Sequence, residues 1–599
     1  MKPQAHGPLT GHRSGALVAL VTAVILGTGA CSSGGSIDQA GGESATATSA
    51  EATLDLSSAM ADNQESHFEA SDLDYDESDA VEVLLEGTTA SSDSGDVTIE
   101  GSSVTITAGG TYSLSGSLSD GEIIVDAGDT AEVTLVLEGV DVANSDGAAI
   151  AVMGADEAVV ILAPGTSNRL TDGATYSFAN PDSDEPNATL YSAADLTIGG
   201  DGELTVEAAY NDAIASKDGL VLASGTITVD AADDGIRGKD YLVVDGAAVS
   251  VQATGDGLKS DNEEDPERGY VLLSDGVVEI TSGDDAVAAS TDAIVTGGQL
   301  VVDAGSASED GRGIQGDVLV LISGGELDVT ALDDAVHSND QVAISGGASM
   351  LASGDDGVHG DHLVTIDGGT ITVTDAFEGI ESETIAINDG FIDITSDDDG
   401  LNVASSEASA TSTAAGPGPG GAAEAVGDYY VYINGGTVVI TISGELAEQG
   451  DGIDANGHVE LTGGLVVISG ATDTRNSAID YSGGSFVVTG GTLIGTNVNG
   501  HNSQGVGSGS TQASMYMTST QTISGGSVVH VESPEGESLI TFEPANDYSA
   551  IVFSSPELVD GESYDVYLGG TVTGGSETGL YEDSEYSGGE LAATVSASL

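Results

Sequence analysis

Between about residues 81 and 500 the chain alternates apolar and polar positions in short runs, such as Gly225-Thr-Ile-Thr-Val229, Ala248-Val-Ser-Val251 and Gly369-Thr-Ile-Thr-Val373. Period-two runs of Val, Ile and Thr bounded by Gly and Asp predict short half-buried β-strands, and nothing in this region has the 3.6-residue spacing of a helix. An acidic phrase punctuates the strands: Asn211-Asp212-Ala-Ile, Asp233-Asp234-Gly-Ile, Gly255-Asp256-Gly-Leu, Asp284-Asp285-Ala-Val, Asp333-Asp334-Ala-Val, Asp355-Asp356-Gly-Val and Asp398-Asp399-Gly-Leu, with looser copies at Asp310-Gly311 and Glu378-Gly379. From acid to acid the intervals are 22, 22, 29, 25, 24, 22, 22 and 21 residues. A fixed period in this range marks a solenoid. About 22 residues with three short strands predict an all-β, right-handed parallel β-helix, with apolar residues stacked inward and turn residues in ladders roughly 4.8 Å apart along the axis.

The pattern also divides the chain. Residues 1–31 combine Lys2, His12 and Arg13 with the apolar run Ala16–Leu26 and end in Thr28-Gly-Ala-Cys31, the only cysteine. This predicts a signal peptide with a lipobox, export, and lipid anchoring through Cys31 to the extracellular face of the cell membrane. Residues 32–66 are rich in Ser, Gly, Ala, Thr and Glu, the composition of a flexible linker. The β-helix is expected over 67–500, interrupted by a Gly/Pro/Ala loop at 403–428, and a β segment over 501–599 is expected to cap an edge that would otherwise aggregate.

Charge narrows the chemistry. Ninety-nine acids stand against 10 Lys plus Arg, for a net charge of −89. Such a chain does not bind nucleic acid, and its 39% hydrophobic content argues against a disordered polyanion. Carboxylates stacked roughly 4.8 Å apart repel by about 1 kcal/mol in water and about 3–4 kcal/mol at an effective dielectric of 20. A hard cation with many oxygen ligands relieves that cost, so Ca²⁺ is expected at Asp212, Asp233, Asp234 and Asp256. The plainer alternative is a solvated or salt-adapted acidic surface.

The few cations are clustered. Aligning coils on the acidic phrase places Ala215, Arg237, Lys259, Ala288, Gln315, His337, His359 and Glu381 in one line, and Lys217, Lys239 and Asp261 in a second line two residues further on. Lys217, Arg237, Lys239, Lys259 and Arg268 could together hold an acidic polysaccharide, directly or through bridging Ca²⁺, or could simply neutralise neighbouring Asp side chains. His337 and His359 are a candidate metal pair or pH-sensitive contact for the same ligand, with exposed turn residues as the plainer reading. There is no Trp, and aromatics are 4%, so a flat aromatic platform would have to be built from Tyr, as at Tyr429, Tyr430 and Tyr432.

Gly110-Thr-Tyr-Ser-Leu-Ser-Gly116, Asn211-Asp-Ala-Ile-Ala-Ser-Lys-Asp218, Asp233-Asp-Gly-Ile-Arg-Gly-Lys-Asp240, Gly255-Asp-Gly-Leu-Lys-Ser-Asp-Asn262, Gly450-Asp-Gly-Ile-Asp-Ala-Asn-Gly457 and Phe542-Glu-Pro544 resemble the bacterial carbohydrate-binding domain-containing β-helix family. The resemblance spans about residues 80–570. It implies a calcium-binding, pectate-lyase-like β-helix that binds plant cell-wall polysaccharide, including acidic pectic chains and cellulose. Lys259 resembles the base of calcium-dependent pectate lyases, and Asp212, Asp233 and Asp234 resemble their calcium ligands. Arg237 stands where those enzymes would carry an acid, and Asp261 beside Lys259 favours a protonated lysine. Three functions remain open: non-catalytic polysaccharide binding, β-elimination by Lys259, and a structural or adhesive surface solenoid.

Overall fold

In the computed structural model, 54% of the chain is strand and 2% helix, wound into a parallel β-solenoid of about 14 turns. The structure describes residues 56–178, 185–308, 310–404, 426–444, 449–481, 483–500, 504–574, 576, 578–581 and 585–599. These belong to the unit Thr53–Leu599; the other unit, Met1–Ala52, lies outside the described residues, and with it the export segment and Cys31. Most of the loop at 403–428 lies outside them too. No helix among the described residues is long and apolar enough to cross a membrane.

Each turn contributes a strand to each of three parallel stacks. One stack contains Gly219–Leu222, Asp292–Val295, Leu319–Ile322, Gln341–Ile344 and Tyr430–Ile433. A second contains Thr226–Ala231, Gln299–Asp303, Glu326–Thr330, Phe391–Ser396 and Thr437–Ile442. Tyr241–Ala253 and Tyr270–Thr281 run through both. The third stack, here the acidic face, runs from Asp212–Ser216 through Ile236–Gly238, Leu258–Ser260, Val336–Ser338, Asp356–Gly360, Glu378–Ser382 and Leu401–Val403 to Ile453–Ala455 and Ile479–Asp480.

The strand alternation turns one set of residues inward. Ile227, Val249, Val278, Leu300, Leu327, Ile371, Ile392 and Val438 are all buried in a single core that follows the axis. Gly-Gly turns between the first two stacks hold the register: Gly325 and Gly347 have φ of +88° and +81°, and a Cβ at either would press on the carbonyl of the previous turn.

Both ends are closed by antiparallel pairing. Val97–Glu100 folds back on Ser103–Ile106 at the start. At the other end Tyr548–Ser554 pairs antiparallel with both Thr492–Asn497 and Ser514–Ile523, and Val529–Glu532, Ser538–Phe542, Ser563–Leu568 and Glu590–Ser596 form a four-stranded sheet over Phe542, Tyr548, Phe553 and Tyr564.

Residues 56–79 differ from the composition-based expectation. They lie as a strap along the outside of the first stack, and this includes 56–66 of the expected linker. Met60, Phe68, Leu73 and Tyr75 cover Val221, Tyr241, Tyr270, Leu272, Val159 and Ile161. Asn63 donates to Asp292 Oδ2 at 2.7 Å, and His67 is 2.7 Å from the Tyr241 hydroxyl and 2.9 Å from Thr197 Oγ1. The physical reason is that this stack is apolar on both sides, so its outer side needs a cover.

Candidate functional site

The acidic face carries two ladders three residues apart. In the first, the second acid of each phrase stacks through Asp212, Asp234, Asp256, Asp285, Arg312, Asp334, Asp356, Glu378, Asp399 and Asp451; backbone bonds such as Gly235 N–H to Asp256 O and Gly379 N–H to Asp399 O set that order. Several of these carboxylates also reach the next turn. Asp234 Oδ1 accepts the Asp256 N–H at 3.0 Å, Asp256 Oδ1 the Asp285 N–H at 3.0 Å, and Asp334 Oδ1 the Asp356 N–H at 2.8 Å.

The second ladder is the line expected from sequence. Ala215 pairs with Arg237, Arg237 with Lys259, Lys259 with Ala288, Ala288 with Gln315, Gln315 with His337, His337 with His359 and His359 with Glu381. It continues through Asn402 to Asp454 and Asp480. Along the axis, the partner facing the buried acids therefore changes from guanidinium and ammonium to imidazole, and then to acid and amide.

At the cationic end the charges are matched within the protein. Arg237 places Nε 2.9 Å and Nη2 2.8 Å from Asp212 Oδ2, and Nη1 3.1 Å from Asp261 Oδ2. Lys259 Nζ bridges Asp234 Oδ2 at 3.1 Å and Asp256 Oδ2 at 2.7 Å. Lys217 pairs with Glu185, and Arg268 with Asp240 and Asp265. No ion pair is seen for Lys239 among the described residues. Burial alone would lower Lys259, but the Asp234 and Asp256 carboxylates hold its proton above the ordinary lysine range. Burial pushes Asp212 up to about 6 despite the guanidinium beside it. Three of the four expected calcium ligands, Asp212, Asp234 and Asp256, are thus buried and occupied by Arg237 and Lys259, while Asp233 is exposed. This donor set fits an internal salt-bridge network better than a Ca²⁺ cage.

His337 and His359 are not exposed turn residues. Each lies on a strand of the acidic face, because the ladder position three residues after the acid turns the ring toward the carboxylates. His337 is 6% exposed, its Nδ1 is 2.7 Å from Asp334 Oδ2, and its ring stacks on His359 with centroids 5.0 Å apart. His359 Nδ1 is 2.7 Å from Asp356 Oδ2.

Sequence reasoning did not assign a role to the far end of the ladders. One oxygen from each of Asp399, Asp451 and Asp454 lies within 4.8 Å of the others. Asn402, stacked on Asp454, donates Nδ2 to Glu378 Oε2 at 2.7 Å and leaves a buried Oδ1 with no hydrogen-bond partner. Burial, then the Asp454 and Asp451 carboxylates, push Asp399 well above the usual carboxylate range. A Cβ at Gly450 would collide with Oδ1 of both Asp398 and Asp399, so glycine keeps the space over these oxygens open. Ca–O bonds of about 2.3–2.6 Å put oxygens on opposite sides of an ion up to about 5 Å apart, so this all-oxygen set fits Ca²⁺. Extending the second ladder past Glu381 would have found it.

On the first stack, Tyr430 and Tyr432 point outward as a stacked pair, centroids 5.2 Å apart and planes at 3°, with His458 5.0 Å from Tyr430.

The chain is thus a parallel β-solenoid that carries stacked acidic and aromatic ladders. The sequence profile described as "Carbohydrate-binding domain-containing protein" matches residues 100–357 and 352–537, and the chain belongs to that family. A relative of the same description from Acetivibrio thermocellus is 49% identical over 184 residues, which are 31% of this chain and 64% of the relative, so the chain spans less than two thirds of that relative's length. A solved structure, described as the polysaccharide lyase-like protein from C. thermocellum in a gadolinium derivative, is 32% identical with a TM-score of 0.39, covering 40% of this chain and 96% of that chain.

Proposed function

We propose that this is an exported, lipid-anchored surface protein that binds acidic (pectic) or cellulosic wall polysaccharide in a calcium-dependent manner, without catalysis. The observation that carries this reading is the change of partner along the second ladder. Arg237 neutralises Asp212 and Asp261 on the turns either side of it, and Lys259 neutralises Asp256 on its own turn and Asp234 on the preceding one, whereas at Asp399, Asp451 and Asp454 the facing positions are acids and an amide. Calcium held there by those three carboxylates and Asn402 Oδ1 would supply a positive charge able to bridge to uronate carboxylates. Tyr430 and Tyr432 offer a sugar ring an outward aromatic face.

Non-catalytic binding is favoured by Lys259. A general base must give up its proton to act, and Lys259 sits between two carboxylates that stabilise its ammonium form. The test is sedimentation of the purified protein with polygalacturonate and with cellulose, in Ca²⁺ or in chelator, while ultraviolet absorbance is recorded. Retention that needs Ca²⁺, with flat absorbance, is the expected result. Absorbance that rises as unsaturated uronides accumulate would make the protein a lyase, and retention indifferent to chelation would remove calcium from the account. Anchoring is tested separately: Cys31→Ala is expected to move the protein from the membrane fraction to the medium.

A further inference from the structure

Between the salt-bridged turns and the all-oxygen end, the acidic face holds a cluster of different chemistry. Asp334, Asp356 and Glu381 are 4%, 3% and 5% exposed, and His337 and His359 lie among them. One donor atom each from Asp356, His359 and Glu381 fall within 4.8 Å of one another, and the same holds for Asp334, His337 and His359.

The two imidazoles are oriented alike. Nε2 of His337 is 2.9 Å from Asn339 Oδ1, and Nε2 of His359 is 3.2 Å from Asp361 Oδ1, in each case the residue two positions on. Both acceptors fix the proton on Nε2 and turn Nδ1 toward the carboxylate ladder, the arrangement in which an outer carboxylate or amide orients a metal-ligating histidine. A bare Nδ1 lone pair and a carboxylate oxygen 2.7 Å apart repel unless a cation lies between them, so each pair holds either a proton or a metal ion. The two pairs are not equivalent. Asp334 Oδ1 accepts the Asp356 N–H at 2.8 Å and its Oδ2 faces His337 Nδ1 at 2.7 Å, so both of its oxygens are engaged. Asp356 Oδ1 is buried and has no hydrogen-bond partner. The protein's own groups engage both oxygens of the first acid and leave one buried oxygen of the second open.

We propose that Asp356, His359 and Glu381 form a binding site for a divalent transition ion, with Zn²⁺ as the occupant. Imidazole nitrogen with carboxylate oxygen is a zinc donor set and a poor one for calcium, which takes oxygen. On binding, the Nδ1 lone pair of His359 goes to the ion and the Nδ1 proton leaves to solvent, while Nε2–H stays on Asp361. Tetrahedral bonds of 2.0–2.1 Å put ligand atoms roughly 3.4 Å apart, so His359 Nδ1 and Asp356 Oδ2, 2.7 Å apart here, open slightly to admit the ion. Asp356 lies four turns of the ladder beyond Asp256, roughly 19 Å along the axis at 4.8 Å per turn. The site is therefore separate from the Lys259 network, and it shares no ligand with the oxygen set of the calcium reading, whose Asn402 stacks on Glu381 one turn further on.

The experiment uses tag-free protein stripped with chelator, given Zn²⁺ in the presence of excess Ca²⁺, passed through gel filtration and assayed for metal. One Zn²⁺ per chain is expected to remain bound. His359→Gln and Glu381→Gln are expected to weaken Zn²⁺ at least 10-fold, and Asp361→Asn 10- to 100-fold as an orienting partner. Asp451→Asn should retain zinc unchanged, which separates this proposal from the calcium one. Co²⁺ substituted into the unaltered protein should give visible absorption of a nitrogen-ligated site, a readout that does not depend on a variant folding. No retained Zn²⁺ and no such Co²⁺ band in the unaltered protein, or full zinc retention by folded His359→Gln, overturns the proposal.

Discussion

Lys259 Nζ lies 2.7 Å from Asp256 Oδ2, one contact in a bridge that continues to Asp234 on the preceding turn. The lysine is a clamp between two turns of the solenoid. Removing it leaves two largely buried carboxylates facing each other, and breaking a buried pair costs about 3–5 kcal/mol, less where one partner keeps some solvent. With the Lys259 side chain 30% exposed, Lys259→Ala is expected to destabilise the protein by about 2–3 kcal/mol, read from chemical or thermal unfolding. Calcium-dependent glycan retention should persist in the folded fraction, and polygalacturonate should give no ultraviolet signal with or without the substitution. A signal lost only in the variant would restore Lys259 as a base.

The solenoid and its register were legible because a β-helix repeats one physical constraint every turn. The inward residue is apolar and the turn acid recurs, so the spacing of the acidic phrases puts Arg237 beside Lys259 and His337 beside His359, as the backbone pairing does. What register could not convey was which charges satisfy one another. Arg237 on Asp212 and Lys259 on Asp256 remove the oxygens that looked available for calcium, a consequence of side-chain length and direction rather than of spacing. The strap left a signal that alternation-based reading passes over. Leu319-Val-Leu-Ile322 and Leu220-Val-Leu222 are apolar at every position, as strands covered on both sides are. The cover itself, residues 56–79, is polar in composition and gives no comparable mark.

That strap yields a second prediction. Phe68, Met60 and Leu73 pack over Tyr241, Tyr270, Val221 and Leu272, so deleting residues 56–79 would expose a continuous apolar strip. Such patches drive association. The deletion is expected to bind a hydrophobic dye and to self-associate on gel filtration, whereas Phe68→Ala alone should cost about 1–2 kcal/mol, since the ring is only partly buried. A monomeric, dye-silent deletion would show that the strap is dispensable.

Asp451 tests the oxygen cluster. Asp451→Asn keeps shape and the capacity to accept a hydrogen bond but removes one charge from the set with Asp399 and Asp454. If calcium is held there, the midpoint of the calcium titration should rise at least 10-fold, a loss of about 1.4 kcal/mol. Without calcium the same substitution should stabilise the fold, because it relieves repulsion among buried acids. Opposite signs with and without the ion distinguish a binding site from an ordinary structural carboxylate; a change of the same sign in both conditions would argue against calcium here.

The acids that the fold buries set its response to pH. Burial foremost, then neighbouring carboxylates, push Glu157 up to about 7, and burial foremost pushes Asp218 and Asp285 up to about 7 and Asp292 up to about 6. In the unfolded chain such groups titrate near 4, so between pH 4 and 7 the folded state carries more protons than the unfolded one. Stability then falls as pH rises through that window. Their contribution is fully present below the unfolded values and is lost as pH climbs past the folded ones, the reverse of a protein stabilised by salt-bridged carboxylates alone. In the absence of divalent ions the melting temperature should therefore be higher at pH 5 than at pH 8. Added salt should narrow the gap at pH 8 by screening the remaining repulsion. Calcium should raise the melting temperature at pH 8 more than at pH 5, because only ionised carboxylates can hold it. A melting temperature that rises steadily from pH 5 to pH 8 without metal would mean that Arg237, Lys259 and their fellow cations, rather than the raised acids, govern the stability of the acidic face.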